Sequence, residues 1–173
     1  MTTWVLLLRA VNVGSRNKLP MAELRTLLTD LGHGDVRTLL NSGNAVFTSR
    51  RKAPGPLAAE IEKGLRDRLG LSVRATLRTV PQLQAALDGL PKDIADTSYV
   101  LLAFLFDKPT APARKDVESW DVSPERLALG DGVVYIGYDG PMHASKLQNA
   151  AVEKKLGVAA TGRTPATVRK LLA

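Results

Sequence analysis

The stretch Val36–Thr48, VRTLLNSGNAVFT, decides how this chain folds. Two short apolar segments, Val36–Leu40 and Ala45–Thr48, flank the tetrapeptide Asn-Ser-Gly-Asn. Gly and Asn tolerate a positive φ. The tetrapeptide therefore predicts a tight turn, and its flanks the two strands of an antiparallel hairpin. The segments on either side then set the topology. Upstream, residues 3–8 (TWVLLL) read as a buried strand, and Met21, Leu24, Leu27, Leu28 and Leu31 follow helical spacing up to Gly32. Downstream, Leu57, Ile61, Leu65 and Leu69 recur every four residues on a helix face that Gly70 ends. Val73–Thr79 then alternates like a half-exposed strand. The order βαββαβ is a split βαβ arrangement.

The same order returns in the second half. Residues 81–90 predict a short helix with Pro81 near its start. Tyr99–Phe106 reads as a central strand and Ala113–Ser119 as a short helix. ERLALGDGVVYIGY (Glu125–Tyr138) reads as a hairpin turning at Gly130-Asp131-Gly132. A helix is predicted from about Ala144 to Leu156, ended by Gly157, and a last one over Pro165–Leu172, with Thr164 as its N-cap and Pro165 at its first position. Strand, helix, hairpin and long helix thus repeat at an offset near 90 residues, with negligible identity between the halves. The pattern predicts an α+β protein of two βαββα subdomains in tandem with mostly antiparallel sheets. The expected division is 1–80 and 81–173, packed as one globular unit.

The 173 residues include 45% hydrophobic and 24% charged side chains, ordinary for a globular protein, and no cysteine. That composition excludes disulfides, zinc–thiolate sites, iron–sulfur clusters and a cysteine nucleophile, and fits a reducing cytoplasm. No apolar segment approaches the roughly 20 residues needed to span a bilayer, and the N-terminus lacks a signal-peptide pattern. The expected location is the cytoplasm, away from membranes. The net charge of +7 is uneven. Residues 1–86 hold 13 Lys/Arg against 6 Asp/Glu, residues 87–142 hold 5 against 10, and residues 143–173 hold 6 against 1. Two basic ends flanking an acidic middle would make an anion-attracting face if the ends meet.

Three stretches carry candidate binding residues. In LLRAVNVGSRNKLPMAEL (Leu7–Leu24) a strand passes through a glycine-bearing loop into a helix, an arrangement that offers backbone N–H groups to an anion. Arg9, Arg16 and Lys18 would add charge-assisted contacts, and Asn12 and Gly14 would shape or line the site. The spacing is neither a dinucleotide fingerprint nor a phosphate loop. Asn12 equally suits tying down its own turn. In the hairpin turn, Ser42 and Asn44 are candidates, although turn geometry alone accounts for Gly43 and Asn44. In TGRTPATVRKLL (Thr161–Leu172), Arg163 precedes a helix start, with Lys146, Lys154 and Lys155 nearby in sequence. His33 and His143, the two histidines, stand far apart, so no metal site or Ser-His-Asp triad is expected. Tyr135 and Tyr138 share a strand at odd spacing, which predicts one facing the core and one facing water.

The first 50 residues resemble the bacterial family of the domain of unknown function 1697. The resemblance rests on Arg9, Asn12, Val13 and Gly14, on Met21 opening the helix, and on Ser42-Gly43-Asn44. SKLQNAAVEKKLG, with Lys146 and Leu147, is similar to the family's Ser-Lys-Leu helix. Ala10 and Ser15 replace glycines of the family pattern. Thr161, Arg163 and Thr167 match its later motif, but Thr164-Pro165 stands where the family shows Asn-Trp. The resemblance implies two ferredoxin-like subdomains and no particular activity or cofactor.

Three functions fit these observations. The favoured one is binding of a phosphate- or carboxylate-bearing ligand in a basic cleft between the subdomains by Arg9, Asn12, Gly14, Lys18, Ser42, Asn44, Lys146 and Arg163. A nucleic acid is a weaker version, since the strands lack base-stacking aromatics. The second is an enzyme without metal or other cofactor, using Asn, Ser, Tyr, Arg or Lys. The third is a structural or dimerisation module that pairs the Val73–Thr79 edge, which leaves monomer and homodimer open.

Overall fold

The computed structural model describes residues 1–173. The elements run β1 (Thr2–Leu8), α1 (Met21–Asp30), β2 (Gly34–Leu39), β3 (Asn44–Ser49), α2 (Pro54–Leu69), β4 (Ala75–Thr79), α3 (Val80–Asp88), α4 (Lys92–Ala95) and β5 (Tyr99–Leu105). They continue with α5 (Ala111–Glu118), β6 (Arg126–Leu129), β7 (Val133–Tyr138), α6 (Asn149–Leu156), β8 (Ala160–Arg163) and α7 (Pro165–Leu172). Two four-stranded antiparallel sheets form, ordered β2-β3-β1-β4 and β6-β7-β5-β8. The fold is α+β, with two ferredoxin-like subdomains in tandem. One unit comprises Met1–Gln84 with Lys170–Ala173, the other Ala85–Arg169. No helix is long and apolar enough to cross a membrane.

In the first unit, Leu24, Leu27 and Leu28 of α1 and Leu57, Ile61 and Leu65 of α2 pack on Trp4, Leu6, Leu8, Ala45, Phe47 and Leu77. The helical spacing puts each set on one stripe, and the strand period of two puts Trp4, Leu6 and Leu8 on one face. In the second unit, Val117 of α5 and Val152 and Leu156 of α6 pack on Ala103, Leu105, Val134, Ile136 and Tyr138.

The tandem repeat reaches side-chain chemistry, so the identity between the halves is not negligible where it counts. Ala75-Thr76-Leu77-Arg78-Thr79 and Ala160-Thr161-Gly162-Arg163-Thr164 occupy equivalent places. Arg78 pairs with Val5 as Arg163 pairs with Leu102. Glu62 Oε1 accepts the Ala75 N–H at 3.0 Å, and Glu153 Oε2 accepts the Ala160 N–H at 2.9 Å. Thr79 Oγ1 and Thr164 Oγ1 each accept a backbone N–H at 3.3 Å, from Gln82 and Thr167, and so cap α3 and α7. Glu62→Ala therefore leaves the strand's first N–H without its charged acceptor and is expected to cost about 2 kcal/mol in urea unfolding. Glu62→Gln, which keeps an acceptor, should cost clearly less.

Several expectations need correction. Residues 145–148 are not helical, and α6 begins only at Asn149. The polar groups of this segment are met by side chains instead. Gln148 Nε2 donates to the carbonyls of Met142 at 2.6 Å and Ser145 at 2.9 Å, and the Tyr138 hydroxyl donates to Leu147 O at 2.6 Å. The Ser-Lys-Leu sequence is thus a rigid turn before the helix. Both Tyr135 and Tyr138 are buried, because β7 is covered on both faces. Strand β4 is largely buried rather than half-exposed. The charge division also changes. The first unit carries 14 Lys/Arg against 6 Asp/Glu (+8) and the second 10 against 11 (−1). The basic residues of 143–169 lie in the same unit as the acidic middle and cancel it.

Candidate functional site

A basic loop region without a carboxylate of its own lies at the end of the first sheet where β1 finishes and β3 and β4 begin. Backbone bonds fasten the three connections there. Leu8 N–H donates to Gly43 O at 2.9 Å and Arg9 N–H to Arg74 O at 3.0 Å. The loop after β1 is unusual in its dihedrals, with positive φ at Ala10 (57°), Asn12 (54°), Gly14 (59°) and Asn17 (48°). Positive and negative φ alternating along a loop turn successive N–H groups toward one side, the arrangement of an anion-binding nest. Gly14 and Ser15 are exposed, and their N–H groups have no acceptor within the protein.

Asn12 shapes this loop. Its Nδ2 donates to Leu19 O at 2.9 Å and Asn41 O at 2.6 Å, and its Oδ1 accepts the Leu19 N–H at 2.8 Å. One side chain thus clamps both ends of its own loop and ties it to the hairpin turn, using its amide in full. Asn44 is fully buried and donates from Nδ2 to Leu39 O at 2.9 Å and Ser42 Oγ at 2.8 Å. The turn's positive φ values fall on Leu40 (56°) and Gly43 (85°), so turn geometry does not account for Asn44 as the sequence suggested. Asn44 instead ties the end of β2 to the turn through its side-chain amide.

The structure thus brings Asn12, Ser42 and Asn44 together with Arg9, Gly14 and Lys18 at one end of one sheet. Arg9 is half-buried, and Arg16 and Lys18 are exposed. The loops 9–20, 40–43 and 70–74 contain Arg9, Arg16, Lys18 and Arg74 and no carboxylate. Sequence reasoning missed Arg74, Val13 and Leu40. Val13 and Leu40 are 58% and 50% exposed and adjoin the Asn12–Asn41 link. Nothing in the sequence distinguishes an apolar residue left in water from one in the core.

Lys146 and Arg163 belong to the second unit. Lys146 is exposed beside Trp120, Asp121, Glu125 and Asp139, which line an open groove with it. Arg163 is buried, and its Nη1 donates to Thr161 Oγ1 at 2.7 Å and Gly162 O at 2.8 Å. Burial pushes its guanidinium down to about 10, so it stays charged at neutral pH. Arg78 makes the equivalent bonds to Thr76 Oγ1 at 2.8 Å and Leu77 O at 3.0 Å.

The family model described as Protein of unknown function (DUF1697) matches residues 1–135. The chain is also similar to the solved structure of the conserved bacterial protein SP0830 from Streptococcus pneumoniae. That similarity amounts to 26% identity, 99% coverage of both chains and a TM-score of 0.79. No curated protein matches.

Proposed function

The chain belongs to the family Protein of unknown function (DUF1697), and on that footing we propose that its first unit binds a phosphate- or carboxylate-bearing small molecule at the β1 loop end. One observation carries this reading. The exposed cations Arg16 and Lys18 share one loop with the exposed Gly14 and Ser15, in a unit of charge +8. The Gly14 and Ser15 N–H groups add short-range donors that a solvated charge patch lacks. Arg16 and Lys18 hold the anion by charge-assisted bonds. The exposed Val13 and Leu40 offer contact to an apolar portion of the ligand. Asn12, Ser42 and Asn44 are the scaffold of this site and not its contacts. This reading takes its contacts from the first unit alone, so Lys146 and Arg163 of the second unit are not among them.

Titration of inorganic phosphate, followed by amide NMR shifts, tests this. Saturable shifts at Gly14, Ser15 and Arg16 are expected. They should weaken about tenfold in the Arg16→Ala/Lys18→Ala double variant and decline as sodium chloride is raised. Linear, non-saturating shifts that the double variant leaves unchanged would sink the proposal.

A further inference from the structure

The second unit carries an open groove of about 700 Å³. One wall is the connection from α5 to β6, the other the connection from β7 to α6. That volume lies within the usual range for small-molecule sites, about 300–1,000 Å³. Both walls are held by side chains. The Gln148 amide and Tyr138 hydroxyl fix the turn that carries Lys146. On the opposite wall the Ser123 N–H donates to Asp121 Oδ1 at 3.1 Å. Trp120, Val122 and Leu147 give the groove an apolar part of its lining.

The charge in this groove is opposite to that of the first unit's loops. Asp121, Glu125 and Asp139 line it with Lys146, and a second cation, Lys155, stands at the Trp120 ring. The bond from Ser123 holds the Asp121 carboxyl below its ordinary range, so it is ionised at neutral pH. Trp120 already shows what its ring attracts, since Lys155 Nζ lies 5.4 Å from the ring centroid. An indole ring, carboxylates and apolar side chains in one lining together select a cation with an apolar body. We infer that this groove is a binding site for an organic cation, a protonated amine or guanidinium compound carrying an aromatic or aliphatic group. The inference is independent of anion binding by the first unit, because no residue is shared and the preferred charge is opposite.

Three isosteric probes separate charge from shape: 2-phenylethylammonium, 2-phenylethanol and phenylacetate. NMR titration of the full chain is expected to give saturable shifts with the ammonium at the Trp120 indole N–H and along residues 121–125 and 139–147. The alcohol should bind at least about tenfold more weakly and the carboxylate not at all. Glu125→Gln/Asp139→Asn, the first half-buried and the second exposed, keeps side-chain size and should reduce ammonium binding about tenfold with little change in melting temperature. Lys146→Ala should strengthen it, because a competing cation is gone. Equal binding of all three probes, preference for phenylacetate, or binding that ignores both variants would overturn the inference. Saturation by a lysine-rich peptide but not by the ammonium probe would also overturn it, and would mark the groove as a protein-docking surface.

Discussion

Replacing Gly43 with alanine is expected to cost about 3 kcal/mol of stability in the first unit. The position has φ of 85°, where an L-residue pays about 1–2 kcal/mol. A Cβ there would stand 2.6 Å from Val11 Cγ2 and 2.8 Å from Leu8 Cβ, both in buried residues. Leu8 Cβ is fixed to the backbone of β1 and cannot swing away, so the strand itself must shift. Overpacking of that kind costs typically about 1–3 kcal/mol. Gly14→Ala is the internal control. Its φ is 59°, but a Cβ would meet nothing within 4 Å, so only the backbone strain remains. Urea unfolding of the two variants should therefore differ by about 2 kcal/mol. Equal destabilisation would show that the close approach of the turn to Leu8 and Val11 is unimportant.

Asn12→Ala is expected to be nearly as severe, at about 3 kcal/mol. Three hydrogen bonds are lost at about 1 kcal/mol each, and the N–H and C=O of the buried Leu19 are left without their partner. Alanine also fits poorly at a φ of 54°, where asparagine is tolerated. Asn12→Gly relieves the backbone but restores no bond, so it should recover about 1 kcal/mol of the loss. Asn12→Asp keeps the acceptor for Leu19 N–H and turns a carboxylate oxygen toward two carbonyls, which should make it no better than alanine. The phosphate titration separates scaffold from contact. If Asn12 only builds the loop, Asn12→Gly in its folded form should retain phosphate binding within about threefold. Lost binding with unchanged stability would make Asn12 a ligand contact instead.

The hairpin around Val36–Thr48 was legible because glycine in a turn and period-two strands are local signals. The helices α1 and α2 were legible because their leucines repeat on one face. The Thr-x-Arg-Thr repeat was written in the sequence but hidden by spacing. Equivalent residues lie 97 apart at β5 (Val5 and Leu102) but 85 apart at β8 (Arg78 and Arg163), so no constant offset finds them. The helical reading of residues 144–148 failed for a different reason. Ser145, Lys146, Leu147 and Gln148 accept helix as readily as turn, and the choice fell to Tyr138 and Gln148, whose polar atoms satisfy the segment's backbone without it.

The candidate site divides along the same line. Arg9, Asn12, Gly14, Lys18, Ser42 and Asn44 were identifiable as a group because their motifs are short and adjacent in the chain. Which of them are buried in backbone hydrogen bonds and which face water was not identifiable, because an asparagine amide carries the same donors and acceptor in either role. The sequence alone determined the α+β class, the tandem order and the excess of positive charge. Tertiary structure decided where that charge lies, giving +8 to one unit and leaving the other near neutral. It also decided that Lys146 borders an acidic groove. Local pattern sets which face of an element is apolar, but the field at a site depends on which distant loops the sheet brings side by side.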